Sequence, residues 1–256
     1  MKPLYQEIKS VVGLSLSLAK ANFKVRNEGS FLGIFWYLLE PLSFFLVLFF
    51  ISETLSQNSI EQYPLYLFIG LIMFNFFNTV TTFATKVIAI NAGFIKSLKI
   101  KTEAFVFSGV LQFIFSHLFE LLVLVAFAIF FNITISGIVF YPIILCFFVL
   151  FTAGVSLILA IGGVYVGDLR NVWIVFTRLL WFATPIFYLA SPTSIILKLN
   201  FLNPLYYFIN ITREVVLYQK VPSVLSLVVV GAGSTLMFLI GLLIFEKFKN
   251  NLAEKL

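Results

Sequence analysis

Long apolar stretches separated by short polar breaks constrain this chain more than any other feature of its sequence. Six of them lie at about 31–51, 64–85, 104–131, 141–166, 172–190 and 222–245. A helix that crosses a bilayer needs roughly 20 predominantly apolar residues, and each stretch approaches or exceeds that length. Charged residues make up only 11% of the chain, whereas about a quarter is usual in soluble domains. We therefore predict an all-α polytopic membrane protein with six transmembrane helices.

The positions of the basic residues predict the orientation of these helices. Fourteen of the 17 Lys and Arg residues lie before span 1, after span 2, near the turn between spans 4 and 5, or at the end of the chain. Only Lys198, Arg213 and Lys220 lie on the opposite side. Because cytoplasmic loops are enriched in Lys and Arg, both termini are predicted to be cytoplasmic. The net charge of +6 then reflects membrane orientation, and no nucleic-acid partner is expected.

The composition excludes several kinds of active site. A single His and a single Cys, Cys146, cannot form a His-rich or Cys-based metal cluster or an internal disulfide. The sequence contains no G-x-x-x-x-G-K-[ST] phosphate loop, no H-E-x-x-H and no G-x-S-x-G motif. We therefore expect a chain that is not an enzyme and that carries no metal and no cofactor of its own.

Residues 1–30 are predicted to form a separate amphipathic helix before the six-span domain of residues 31–256. On a helical wheel, one face carries four basic residues: Lys2, Lys9, Lys20 and Lys24. Most apolar side chains lie off that face, and the polar residues Glu7, Ser15 and Asn22 are exceptions that lie off it too. Such a helix lies in the membrane plane. It serves either as an anchor to anionic lipid or as a surface for a cytoplasmic partner or an anionic head group.

The cytoplasmic loop 86–103 is too apolar for a simple connector. After a turn it contains the run Phe94–Lys101, in which apolar and basic residues alternate. A short helix that docks into a partner protein would hide these apolar side chains. The alternative is a basic loop that lies against lipid.

The outer segment 191–221 is also long and apolar. Asn203 followed by Pro204 is a favourable helix start, because Asn caps the first turn and Pro fits the first helical position. About fifteen residues follow, interrupted by Arg213 and Glu214, which is short for a span and suits a re-entrant or interfacial helix. This helix serves either as an external gate or as an amphipathic cover.

Polar residues inside the predicted spans require an explanation, since they are costly there. Span 3 carries four of them at i, i+4 spacing on one helix face: Ser108, Gln112, Ser116 and Glu120. His117 lies three residues before Glu120 and is close enough to pair with it, as a proton relay or as a helix-packing hydrogen bond. In span 1, Glu40 would face a polar conduit or lie near Arg178 as a structural counter-ion.

Aromatic and small residues mark further contacts. Two spans are rich in aromatic side chains: Trp36, Tyr37, Phe44 and Phe45 in span 1, and Trp181, Phe182 and Tyr188 in span 5. Aromatic faces stack on the C–H surfaces of sugar rings, so these residues would suit a glycan conduit; lipid-facing packing is the alternative.

Gly163 and Gly167 form a GxxxG helix-packing motif at the end of span 4.

Three motifs resemble the permease subunits of ABC-2 type exporters, specifically those for polysaccharides. Ser30–Pro41 (SFLGIFWYLLEP) is similar to the family's S-x-L-G-x-x-W-x-x-L-x-P entry to span 1. Asp168-Leu169-Arg170 leads to Thr184-Pro185-Ile186-Phe187-Tyr188 in span 5. Asn203-Pro204-Leu205 precedes Arg213-Glu214 in the outer segment. Order and spacing match from about residue 20 to 245, with the greatest likeness to O-antigen export permeases; capsule and teichoic acid permeases are similar too. The lead-in Lys24–Glu28 departs from many members in being less basic.

The resemblance implies a homodimer that pairs with two ATP-binding cassette subunits, which would bind ATP and Mg in place of this chain. It implies export of a lipid-linked glycan, undecaprenyl pyrophosphate-linked O antigen, across the bacterial inner membrane. It also implies residue roles. These are a conduit (Trp36, Tyr37, Phe44, Trp181, Phe182, Tyr188), a coupling helix at about 94–101 (Phe94, Lys96, Leu98, Lys99, Lys101), an interface helix that meets pyrophosphate (Lys20, Lys24, Arg26) and an outer gate (Asn203, Pro204, Arg213, Glu214).

Two other functions stay open at this point. A proton-coupled secondary transporter would use His117 and Glu120 and would work without any ATPase. An ABC-2 exporter of drugs or lipids would share the ATPase but not the sugar track.

Overall fold

The computed structural model describes residues 4–28, 31–55, 62–98, 101–133, 135–189 and 195–255. These residues are almost entirely helical and contain no β-strand. In chain order the α-helices are α1 (Leu4–Asn27), α2 (Trp36–Leu55), α3 (Tyr63–Ile90), α4 (Ala92–Leu98), α5 (Glu103–Phe130), α6 (Tyr141–Tyr165), α7 (Leu169–Ala183), α8 (Ile195–Asn200), α9 (Pro204–Val216), α10 (Val224–Phe248) and α11 (Leu252–Lys255).

Within the described ranges, four helices are long and apolar enough to cross a membrane: Tyr63–Ile90, Glu103–Phe130, Gly137–Tyr165 and Val224–Asn251. They coincide with predicted spans 2, 3, 4 and 6. Predicted spans 1 and 5 correspond to shorter helices, so six full-length spans are not confirmed. The apolar part of α2 is Trp36–Ile51, and α7 has 15 residues. At about 1.5 Å per residue, α7 covers about 22 Å of a hydrocarbon core that is about 30 Å thick.

The prediction of one helical span at 172–190 is wrong at both ends. The helix α7 already begins at Leu169, and it stops at Ala183. It stops there because Pro185 has no backbone N–H to donate and disfavours helical dihedrals at the residue before it. Thr184 is accordingly extended, with φ −82° and ψ 132°.

The central helix of the bundle is α3. All residues from Leu65 to Phe74 are buried, and α3 packs against α5, α6, α7 and α9. A helix that is apolar around its whole circumference needs neighbours on every side. Further along, between Asn75 and Lys86, polar residues interrupt the apolar surface.

Glycines permit two close helix approaches. A Cβ atom on Gly241 of α10 would meet the backbone oxygen of Gly154 in α6, so these helices touch backbone to backbone. A Cβ on Gly163 would likewise meet the carbonyl oxygen of Thr85 in α3. Gly163 therefore packs as the GxxxG motif predicts, whereas Gly167 has open space around it and takes no part.

The amphipathic helix α1 lies along α5 and has three distinct faces. Ser15 and Ala19 are buried against the protein, and the Ser15 hydroxyl donates to the Val11 carbonyl at 2.7 Å, which satisfies a polar group on that face. A second face exposes basic side chains: Lys9, Lys20 and Lys24. The third face exposes apolar ones: Tyr5, Ile8, Val12 and Leu16. The predicted amphipathic helix is present, with its apolar side divided between α5 and the surroundings.

Gly241→Ala should lower the stability of the protein, whereas Gly233→Ala in the same helix should not. The new Cβ at position 241 meets the Gly154 backbone, and overpacking of this kind costs about 1–3 kcal/mol. Open space surrounds position 233. The measurement is the unfolding temperature of each purified variant in one detergent. Equal unfolding temperatures would contradict the close approach of α6 and α10.

Candidate functional site

A cavity of about 930 Å³ lies between α2, α3, α5 and α7. It brings together five of the residues that sequence reasoning selected for separate roles. These are Arg26 at the end of α1, Glu40 and Phe44 in α2, and Trp181 and Phe182 in α7. The cavity is therefore the candidate site, and its walls differ in chemistry.

The polar wall comes from α3, which sequence reasoning missed. Its residues lie at i, i+3, i+4, i+7 and i+11, which is one face of a helix: Asn75, Asn78, Thr79, Thr82 and Lys86. The Thr79 hydroxyl donates to the Asn75 side-chain oxygen at 3.3 Å, and Thr82 donates to Asn78 at 3.4 Å, so the amides are held in place. The periodic polar residues within span 2 were the sequence signal for this wall.

Three basic side chains and one acidic side chain line the cavity: Arg26, Lys86, Arg178 and Glu40. Ionisable groups at membrane depth normally face a cavity or a partner, because exposure to hydrocarbon is costly. The excess of positive charge makes the cavity favourable for an anionic group. Lys20 and Lys24, predicted to act beside Arg26, are instead exposed on α1, and Lys24 lies 3.7 Å from Glu28 in a solvent-facing ion pair.

Aromatic rings form a further wall. The ring centroid of Trp181 lies 5.8 Å from that of Phe44 and 4.8 Å from that of Phe182. Phe187 stacks on Trp181 at 5.1 Å with an angle of 25° between the planes, which fixes the indole. Helices α2 and α7, which correspond to predicted spans 1 and 5, therefore contact each other through Phe44 and Trp181.

The other three predicted conduit aromatics lie elsewhere. Trp36 is 53% exposed and is not part of the cavity lining. Tyr37 is buried, with its ring stacked on Phe23 of α1 at 5.5 Å. The Tyr188 hydroxyl donates to backbone carbonyls at the end of α7. Tyr37 also lines a smaller pocket beside the cavity, and a conduit role for Trp36, Tyr37 and Tyr188 stays a prediction.

A smaller pocket of about 70 Å³ adjoins the cavity and contains the intramembrane polar residues of α5. His117 Nδ1 lies 2.6 Å from Glu120 Oε2, so the predicted pair is present. Asn75 donates to the other Glu120 oxygen at 3.0 Å, and His117 Nε2 lies 2.6 Å from the Tyr141 hydroxyl. The geometry fits a hydrogen-bonded cross-link between α3, α5 and α6; a proton relay stays a prediction.

The non-helical segment after α7 is held by side chains that satisfy its backbone. The carbonyls of Phe182 and Ala183 accept from the Tyr188 hydroxyl at 3.0 Å each. The Phe187 carbonyl accepts from Tyr63 at 3.0 Å, and the Tyr188 carbonyl accepts from Tyr66 at 3.1 Å. Buried backbone outside a helix requires such partners because an unpaired carbonyl away from water is costly.

Arg213 of α9 is the main brace of this segment. Its guanidinium donates to the carbonyls of Pro185 and Ile186, both at 2.8 Å, and to the Tyr66 carbonyl at 3.0 and 3.1 Å. Its Cζ also lies 3.4 Å from the centre of the Tyr66 ring. Burial lowers the pKa of Arg213 to about 10, which leaves it charged at neutral pH. As it is 3% exposed, Arg213 in this conformation is a buried cross-link between α9, α3 and the end of α7.

The other predicted gate residues lie at the two ends of α9, the helix that carries Arg213. Asn203 caps α9 by accepting from the Leu205 N–H at 3.0 Å, and its amide donates to the Thr184 hydroxyl at 2.8 Å. Pro204 occupies the first helical position, as predicted. Glu214 is partly buried and accepts from the Asn210 amide at 3.0 Å. A gating role for these residues stays a prediction.

The short helix α4 falls where a coupling helix was predicted. Ile95 is buried in a cluster with residues of α3 and with Leu252 of α11, which holds the helix against the bundle. Phe94 is 57% exposed, and Lys96 is exposed beside it. Lys101 lies just before α5 and is partly buried, whereas Lys99 and the side chain of Leu98 lie outside the described residues. The helix therefore presents an apolar side chain and a basic one outward.

Arg213→Lys should destabilise the protein, because a lysine ammonium cannot donate to three carbonyls in the planar arrangement of the guanidinium. Losing two charge-assisted hydrogen bonds should cost about 2 kcal/mol or more. The measurement is the unfolding temperature in detergent, with Arg170→Lys at an exposed position of α7 as the matched control. A stable Arg213→Lys variant would show that the brace does not hold the end of α7.

Comparisons with known proteins agree with this architecture. The ABC-2 type transporter family profile matches residues 14–217. An O-antigen export system permease protein of Myxococcus xanthus is 24% identical over 99% of both chains. Two proteins of that name from Klebsiella pneumoniae are 27% and 26% identical, each over 94% of both chains. With its apolar spanning helices, the chain belongs to the ABC-2 type transporter family.

Proposed function

We propose that this chain is the permease subunit of an ATP-driven exporter that moves a lipid-linked polysaccharide through the cavity between α2, α3, α5 and α7. The observation that carries the proposal is the composition of that cavity. Amides and hydroxyls on α3 face the same space as the rings of Phe44, Trp181 and Phe182. The names of the three relatives add support for a polysaccharide of the O-antigen type.

The walls of the cavity suit the two chemical parts of such a substrate. Sugar rings offer C–H faces to aromatic side chains and hydroxyls to side chains such as Asn75 and Asn78. A phosphate-linked lipid carrier, such as undecaprenyl pyrophosphate, offers negative charge to Arg26, Lys86 and Arg178. Glycan contacts of this kind are weak and repeated, which suits a chain that must slide.

A second copy of the chain completes the conduit in this proposal. Of the residues of α7, only Thr177 is buried, and the helix exposes an apolar stripe: Val172, Val175, Phe176, Leu179 and Phe182. Arg178 lies on the same helix, is exposed and lines the cavity. Because a charged side chain is costly to expose to lipid, a homodimer with α7 near its interface would enclose Arg178 in a polar conduit.

Energy is supplied by two ATP-binding cassette subunits that bind ATP and Mg and dock on α4. The exposed Phe94 and Lys96 form an apolar and basic contact for them, while Ile95 transmits the force to the bundle.

Both termini and α4 face the cytoplasm of a bacterial inner membrane in this assignment. The contact between α4 and α11 supports it by placing these two segments at one end of the molecule. Helices α8 and α9 cover the other end as the outer gate.

The aromatic wall provides the first test. Phe44→Ala combined with Trp181→Ala should lower surface display of the glycan about threefold or more, since each aromatic contact is worth about 0.5–1.5 kcal/mol. Trp36→Ala is the matched control, because Trp36 lies in the same helix as Phe44 but not in the cavity lining. Export is measured as surface glycan, with ATPase co-purification checked in parallel. Equal loss in both variants would contradict the aromatic conduit.

The docking of the ATPase provides the second test. Tagged protein is purified from its native membranes in mild detergent, and co-purifying proteins are identified by mass spectrometry. A stoichiometric ATP-binding cassette subunit is expected, and Phe94→Ala should weaken its retention roughly tenfold, as truncation of an interface anchor does. Phe201→Ala is the control, because Phe201 is equally exposed but precedes α9 at the other end. Absence of an ATPase across several mild detergents would overturn the proposal.

A proton-coupled transporter is the second candidate. The hydrogen-bonded chain of His117, Glu120 and Asn75 favours it, because Asn75 belongs both to that chain and to the cavity wall. Loss of transport in His117→Ala without any ATPase requirement would select this candidate. An ABC-2 exporter of drugs or lipids would instead retain the ATPase and tolerate loss of the aromatic wall.

A further inference from the structure

We propose that the protein holds one zwitterionic phospholipid, of the phosphatidylethanolamine class, in a groove beneath α1. The groove has a volume of about 1050 Å³ and lies between α1, α5, α6 and α10, away from the proposed conduit. This site is independent of the substrate that the conduit carries. The lipid fills the space between the amphipathic helix α1 and the rest of the membrane domain.

The walls of the groove match the apolar part of a lipid. Ile8 and Val12 of α1 face it and are more than half exposed. Leu111 and Ile114 of α5 and Leu242 of α10 line it as well. An amphipathic helix that lies in the membrane plane buries its apolar face in the acyl region. Since α1 packs on α5 with a different face, the stripe that contains Ile8 and Val12 is available for acyl chains.

The depth of the groove matches one leaflet. Its lining on α5 extends from Glu103 to Ile114, a separation of eleven positions, which is about 16 Å along a helix. Half of a hydrocarbon core that is about 30 Å thick is about 15 Å. One lipid in the leaflet that borders α1 would therefore fill the groove from head group to chain end.

The charges at one end of the groove select the head group. The start of α5 contributes Lys101 and Glu103, and the end of α10 contributes Glu246 and Lys249. Glu246 and Lys249 lie 2.6 Å apart and present both signs together. A head group with a phosphate and a primary ammonium can bond to both signs, since the ammonium donates to carboxylates and the phosphate accepts from lysines. A choline cannot donate to Glu246, and an anionic head group would leave both carboxylates opposed by like charge.

The only cysteine of the chain provides a reporter in the unaltered protein. Cys146 lines the groove at the end remote from these charges and is exposed. Delipidated protein in detergent is treated with an apolar maleimide, and the rate of Cys146 modification is followed by intact mass. Dioleoyl phosphatidylethanolamine, phosphatidylglycerol and phosphatidylcholine are added in separate titrations. The ethanolamine lipid should protect Cys146 at the lowest concentration and saturate at one lipid per chain, as counted by native mass spectrometry.

Two substitutions complete the experiment. Glu246→Gln should reduce the preference for ethanolamine over choline lipid about three- to tenfold, because one charge-assisted hydrogen bond is lost. Glu28→Gln is the matched control, since Glu28 also forms an exposed ion pair but lies outside the groove, and it should leave the preference unchanged. Equal protection by all three lipids, strongest protection by phosphatidylglycerol, or no protection overturns the proposal. Protection that follows protein concentration instead of lipid would identify a second copy in the groove and would also overturn it.

Discussion

The need to satisfy buried backbone carbonyls beyond the end of α7 governs this structure. Helix α7 stops at Pro185, and the chain then continues without helical hydrogen bonds through Tyr188. An unpaired carbonyl in hydrocarbon costs several kcal/mol, so every one of them needs a donor. Arg213 donates to the carbonyls of Pro185 and Ile186, and Tyr63 and Tyr66 of α3 donate to those of Phe187 and Tyr188. The Tyr188 hydroxyl donates to the carbonyls of Phe182 and Ala183. Pro185 ends the helix, and donors from α3 and α9 satisfy the carbonyls that the break exposes.

The contacts that hold the end of α7 also hold the cavity wall in position. Trp181 lies two residues before the helix ends, and Phe187 from the non-helical segment stacks on its ring. The same helix α3 that donates to this segment from Tyr63 and Tyr66 carries the amides of the polar wall further along. A displacement of Arg213 would consequently move both the aromatic and the polar wall. This connection links helices α8 and α9 physically to the cavity, although neither helix lines it.

Several residues that the sequence singled out contact partners that the sequence did not predict, whereas others pair as predicted. Thr184-Pro185 and Asn203-Pro204 resemble a family pattern, and the structure shows Asn203 donating to Thr184, so the two motifs act on each other. Arg213 was placed at an outer gate and is a buried cross-link in this conformation. His117 and Glu120 paired as their spacing predicts, because residues three apart share one helix face. Asn75 as their third partner was not predictable, since it comes from another helix.

The sequence by itself determined the membrane class, the positions of four spanning helices, the amphipathic first helix and the capped start of α9, because these depend on local composition and on residues that are close in the chain. It also selected six aromatic residues of predicted spans 1 and 5, of which Phe44, Trp181 and Phe182 line the cavity. Tertiary structure decided which of the aromatics meet and that Arg26 and Lys86 face one cavity. These outcomes depend on which helices become neighbours, and packing between distant segments leaves no periodic signal in any one of them.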